Sequence, residues 1–299
     1  MGQAAGHRFP HSAGWWPARP AHRSYGGGGG RPKSGRAGAA RRAGKGIIMP
    51  VELVNKDPRY SKVHLIDPAP LGYLHLAAEV QAAHRPGPVL RRSRDKQQLL
   101  GVLKWQARQL GGLAAVERVT VYDAVVFAPP GGDVKDRPAT LPAAWFDVAV
   151  LAETSSPEAA REVRAAPAWQ ALAAALTERA RRVHQVAARN VRRVGDVDKT
   201  RPGLFLFNYF AGDDPALAVE VWDYLAGWYE AETGLDNSTL LEPLEGEQSD
   251  YVLINHARWD GNLLLFMARQ LPKKSFRSYM LANLEAHHLA AMPVLYRLA

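Results

Sequence analysis

The stretch Phe146-Asp147-Val148-Ala149-Val150-Leu151-Ala152-Glu153-Thr154-Ser155-Ser156-Pro157-Glu158 decides how the rest of the chain is read. Its first part is dense in Phe and Val, the composition of a strand with buried faces. It then runs into a helix start, with two ways of capping it. Either Ser156 precedes Pro157 at the first helical position, or Ser155 and Glu158 form a capping box. The Ala-rich continuation to about residue 181 favours helix, and Pro167 should begin a second helix or bend the first. A strand feeding a capped helix implies a mixed α and β architecture.

Working outward, the segment 61–66 alternates in part through Val63 and Leu65, beside Tyr60, and stops at Asp67-Pro68. This predicts a first strand. A short helix fits 73–83. A better one runs over 95–110, where Leu99, Leu103, Ala107 and Leu110 recur at helical spacing before Gly111-Gly112. Residues 116–127 are rich in Val, Tyr and Thr and predict a strand, followed by a turn-rich loop over 129–142. Beyond the Ala-rich helix, 184–194 reads as an edge strand. The order is strand, helix, strand, strand, helix, strand.

That order recurs. A strand is predicted at 203–210. Asp213-Asp214-Pro215 opens a helix with Ala218, Trp222, Leu225 and Tyr229 on one face and Gly234 at its end. Strands follow at 237–244 and 251–259, and helical segments fill 262–290 with a break near Pro272. A last strand covers 292–298, with Pro293 near its start, where a missing N–H is tolerated. The fold class read from this pattern is α+β: two βαββαβ units, 55–198 and 201–299. Each sheet carries helices on one face only, so the two pack sheet to sheet as an α/β barrel within one chain.

From Phe146 to Glu158, and on through Pro167-Ala168-Trp169-Gln170-Ala171-Leu172, the sequence resembles EthD-type members of the dimeric α/β-barrel (ferredoxin-like) superfamily. In that family a third strand beginning near Phe-Asp leads into a Ser-Pro-Glu helix start and a helix with an Ala-Pro-x-Trp segment. His184-Gln185-Val186 stands where the fourth strand would begin. The second half is similar in layout alone, with Gly261-Asn262 in place of Ser-Pro-Glu, so the chain would be a tandem duplication. The resemblance covers about 60–299 in layout and 146–190 in motif. Members include monooxygenase-like proteins, lactone isomerases and polyketide-modifying enzymes, so it implies small-molecule chemistry without fixing a reaction.

Charge is unevenly placed. Residues 1–48 hold nine of the 38 Lys and Arg residues and no Asp or Glu, which leaves 29 basic residues against 29 acidic ones in 49–299. The basic balance belongs to a leader whose glycine run and prolines cannot repay the entropy of ordering. It reads as a disordered nucleic-acid or membrane arm, as a transit segment, or as upstream sequence ahead of a natural start at Met49. The neutral body is not expected to bind nucleic acid. No apolar run is long enough for a membrane helix, and with no cysteine the chain has no disulfide or thiolate chemistry. That suits a cytoplasmic protein, monomer or homodimer.

The sharpest candidate for chemistry is His256 as general acid and base, with Arg258 on the same strand face to stabilise developing negative charge and Trp259 as an aromatic wall. His64, on the presumed first strand, is a second candidate base. Asn208, Tyr209 and Tyr122 can bind substrate polar groups, and Trp222 can line a cavity. Each also has a plain reading as core or strand-end residue. His287-His288 point apart on a helix and do not chelate one ion, and neither a dinucleotide fingerprint nor a P-loop is present. The functional expectation is a small-molecule enzyme without cofactor, an isomerase, lyase or monooxygenase-like protein acting on an enolisable or aromatic carbonyl compound. The alternatives are a non-catalytic ligand-binding or interaction protein, and nucleic-acid association through the leader.

Overall fold

The computed structural model describes residues 51–81, 87–88, 92–134, 143–261, 263, 270 and 273–299. The leader, most of the loop over 129–142 and the break near Pro272 lie outside them. The first strand is not where the sequence puts it. Strand β1 is Gly72–Glu79, in the segment read as a short helix, while 61–66 forms only a single bridge from Ile66 to Arg193. The cause is burial. Both faces of β1 are covered, so its apolar residues run on without a period of two. Residues 61–66 alternate for another reason: Val63 is buried against a helix while its neighbours stay exposed.

After β1 come a two-residue β2 (Gly87–Pro88), helix α1 (Arg94–Leu110) and the long β3 (Val116–Phe127). A two-residue β4 (Gly131–Gly132) precedes β5 (Val148–Thr154), α2 (Pro157–Ala165), α3 (Pro167–Thr177) and β6 (Arg182–Gly195). The second half runs β7 (Leu204–Ala211), α4 (Pro215–Thr233), β8 (Ser238–Pro243) and β9 (Leu253–Trp259). A π-helical turn at Phe276–Leu281 leads through α5 (Ala282–Ala286) into β10 (Ala290–Leu298). The caps follow the sequence. Ser156 accepts from the Ala159 amide, Pro167 opens its own helix, Asp214 caps α4, and Gly234 ends α4 at a φ of 72° that favours glycine.

The sheet order is β3-β5-β1-β6 followed by β8-β9-β7-β10, and β10 pairs back onto β3. The eight long strands therefore close into an antiparallel barrel, and Met49–Ala299 is one compact unit. Closure corrects the reading of 184–194 as an edge: β6 pairs with β1 on one side and β8 on the other.

Strand parity sorts the core into three layers. The lumen holds Tyr73, Tyr122, Phe146, Phe205, Phe207, Tyr209, Tyr251 and Tyr296 among smaller residues. Outside, α1, α2 and α3 cover the strands of the first half through Leu99, Leu103, Val163, Trp169 and Leu172. Helix α4 covers those of the second half through Trp222, Leu225 and Trp228. A buried charge cluster lies under α1: Lys96, fully buried, meets the carboxylates of Asp123 at 2.9 Å and Asp147 at 2.8 Å. It pins the start of the helix to the sheet.

Candidate functional site: the barrel lumen and its two mouths

The odd-numbered residues of β7 and the even-numbered residues of β9 face the lumen, which puts Phe205, Phe207, Tyr209, Ile254 and His256 in one ring-filled column. His256 stacks on Phe207 with centroids 4.2 Å apart and planes 10° from parallel. Its Nδ1 lies 2.9 Å from the Leu206 carbonyl oxygen, which can only accept, so Nδ1 carries the proton. Nε2 therefore accepts from the Tyr122 hydroxyl at 3.1 Å. Burial, and then the nearby charge of Lys199, hold His256 well below the usual imidazole range, while burial pushes the Tyr122 hydroxyl well above its own. Both imidazole nitrogens are thus occupied in a neutral, fully buried ring. The structure brings Tyr122 and His256 together, but as a satisfied pair with no nitrogen left for a substrate.

Tyr209 joins a second pair, with its hydroxyl 3.3 Å from Nε2 of His75. His75 sits in the middle of β1, fully buried, and its Nδ1 has no partner. The misplaced first strand hid this residue from the sequence reading. The signal that finds it is loop length: a strand at 61–66 leaves an improbably long path to the helix at 94, whereas β7 reaches α4 within a few residues.

The remaining candidates scatter. His64 is exposed on the segment that crosses α4. Asn208 has the opposite strand parity to Tyr209 and faces away from the lumen, its Oδ1 unpartnered. Trp222 is core under the sheet of the second half, and Trp259 packs in the same layer with its indole N–H on Thr233 Oγ1 at 3.2 Å.

At one mouth, Arg258 closes the column. It lies 5.9 Å over the Phe205 ring, donates from Nη2 to the Pro202 carbonyl at 2.8 Å and to Asp260 at 2.6 Å, and leaves Nε buried without a partner. Gly203 is what admits it: a Cβ there would stand 2.6 Å from the Arg258 Nε. A pocket of about 260 Å³ opens here, bounded by Arg258, Trp259, Asp260, Arg201, Asp198 and Asp236 among others. Hydrogen bonds from Thr200 and Arg201 hold the Asp198 carboxyl well below its ordinary range, so it offers acceptor oxygens only.

The opposite mouth is built from the start of β6. His184 is 7% exposed, with its ring 5.9 Å from His75, 5.0 Å from Tyr251 and 6.0 Å from Phe146. Burial, and then the adjacent Arg182, push its pKa down to about 4. Arg182 lies 4.6 Å over the Phe146 ring. Among the described residues no group of three or more His, Asp or Glu is placed to hold a metal ion, and no helix is long and apolar enough to cross a membrane.

No protein-family profile and no curated protein matches this chain. Solved structures do. An anthrone oxidase-like protein superposes with a TM-score of 0.51 at 12% identity, over 77% of this chain and 91% of that one. That span is too long to fit within either half, so the likeness includes strands of both. A protein from Fusobacterium nucleatum named for a monooxygenase gives a TM-score of 0.45 at 9% identity, over 78% of this chain and 95% of that one. One named for a chlorite dismutase gives 0.41 at 9%, over 77% and 94%. The fold is therefore that of the dimeric α/β-barrel proteins.

Proposed function

We propose that a protein with this barrel binds a small, hydroxylated carbonyl compound at the Arg258 mouth. The observation that carries the reading is the buried Arg258 side chain lining a pocket that also presents the carboxylates of Asp196, Asp198, Asp236 and Asp260. Such a pocket suits a ligand bringing one acceptor, a carbonyl, for Arg258 and several hydroxyl donors for Asp198, Asp236 and Asp260. The reading keeps Arg258 and Trp259 from the sequence and assigns His256 the task of holding the lumen together. One neighbour is named anthrone oxidase-like, and an anthrone is a carbonyl compound, which agrees with the ligand class.

Dihydroxyacetone is the probe. In ligand-observed NMR it is expected to contact the parent protein, and Arg258→Ala is expected to abolish the contact with the fold retained by circular dichroism. Equal contact in both proteins overturns the reading. We also infer an EthD-type origin by tandem duplication, with units at 55–198 and 201–299. The repeated strand order, second-third-first-fourth in each half, supports it.

A further inference from the structure

Arg182 and His184 stand two residues apart on the lumen side of β6, about 7 Å between Cα atoms. The hydroxyl of Ser249 fixes the state of the histidine. Ser249 Oγ lies 2.8 Å from the Tyr251 carbonyl oxygen, which can only accept, so the hydroxyl proton lies on that line. Toward His184 Nε2, at 3.0 Å, the same oxygen must then accept. His184 is therefore protonated on Nε2 and presents a bare lone pair at Nδ1, buried and without a partner. Arg182 donates from Nη2 to the Ala143 carbonyl, while its Nη1 is also buried and unpartnered. One buried N–H donor and one buried lone-pair acceptor thus come from residues two apart on one face of β6, beside the Phe146 ring and the Tyr251 ring, whose hydroxyl also hydrogen-bonds the Arg182 side chain.

We propose that this pair binds the edge of an aryl carboxamide, its carbonyl oxygen on Arg182 Nη1 and its N–H on His184 Nδ1. A carboxamide is neutral and sets an acceptor beside a donor. The isosteric carboxylate offers two acceptors and would turn one against the histidine lone pair, leaving buried polar atoms unmatched. Protonating His184 would remove that conflict, but burial and Arg182 both oppose the imidazolium. The aromatic walls take the ring of the ligand. This site lies at the far end of the lumen from Arg258 and stands or falls independently of the ligand assigned there.

Benzamide and benzoate, differing at one atom, test it on the full chain near neutral pH. Imidazole nitrogen NMR is expected to show His184 unprotonated at Nδ1, with that resonance moving on addition of benzamide. Benzamide should bind at least about tenfold more tightly than benzoate. Arg182→Gln should weaken benzamide, and His184→Phe should erase the preference. Ser249→Ala, which releases the tautomer without emptying the core, should narrow it. Benzoate binding as well as benzamide, a protonated Nδ1, or no response to either compound would each overturn the assignment.

Discussion

Gly227, buried on α4, tests the packing that carries the His64 segment. A Cβ at this position would stand 1.9 Å from the Ser61 carbonyl oxygen and 3.2 Å from the Val63 nitrogen. An ordinary carbon–oxygen contact is about 3.3 Å, so in Gly227→Ala the 61–63 backbone must retreat by more than an ångström. That retreat breaks the hydrogen bond from Val63 N–H to the Asp223 carbonyl, now 3.0 Å, and loosens Tyr60 and Val63 against the helix. Overpacking costs about 1–3 kcal/mol and the lost bond about 1 kcal/mol. Against them stands the gain in helix propensity, about 1 kcal/mol. The net is a loss of about 1–3 kcal/mol, or a fall in Tm of about 3–10 °C for a body of this size. Gly101→Ala, on the exposed side of α1 with nothing within 4 Å, isolates the propensity term and should raise stability by about 0.5–1 kcal/mol. Thermal and urea unfolding by circular dichroism read both. If Gly227→Ala melts at or above the parent while Gly101→Ala behaves as expected, the 61–63 backbone does not sit where described.

Three further outcomes follow from the buried polar groups. His75, His184 and His256 are held neutral in the fold, so the unfolded chain binds more protons below its imidazole pKa. Stability present above about pH 6.5 should therefore be lost as pH falls through the folded values, the His184 share amounting to about 3 kcal/mol by its folded pKa of about 4. Urea unfolding across this window checks it, and His184→Gln should flatten the profile. His256→Ala should cost about 2–4 kcal/mol by stranding the Tyr122 hydroxyl and the Leu206 carbonyl in a ring-packed lumen. Its dihydroxyacetone contact should survive, which a histidine that binds the ligand would not allow. Lys96→Met leaves Asp123 to Arg92 and Arg297 but takes from Asp147 its buried cation, and should cost about 3–5 kcal/mol in urea unfolding, with part restored by adding Asp147→Asn.

Much of the fold is written in local signals. Ser156 and Asp214 mark helix starts, Gly234 a helix end, and 116–127 a strand, because capping and β-branching act within a few residues. Two things escape such reading. The doubly covered Gly72–Glu79 has no polar face to show its period, and a partnered β6 looks like an edge until the second half of the chain closes on it. The candidate site suffers more. Arg258 and Trp259 line one pocket, but the bare lone pair of His184 depends on Ser249, distant in sequence. The idle state of His256 depends likewise on a carbonyl from another strand. Protonation and occupancy of an imidazole are tertiary facts, and residue type alone does not carry them.

The seam between β10 and β3, from Val294 opposite Phe127 to Leu298 opposite Tyr122, has a bearing on how copies of this chain can meet. A single βαββαβ sheet leaves its outermost strands with unspent N–H and C=O groups, an adhesive that a second copy can use. Here the eight long strands spend those groups on one another. Among the described residues, self-recognition by strand addition along the barrel wall is closed off.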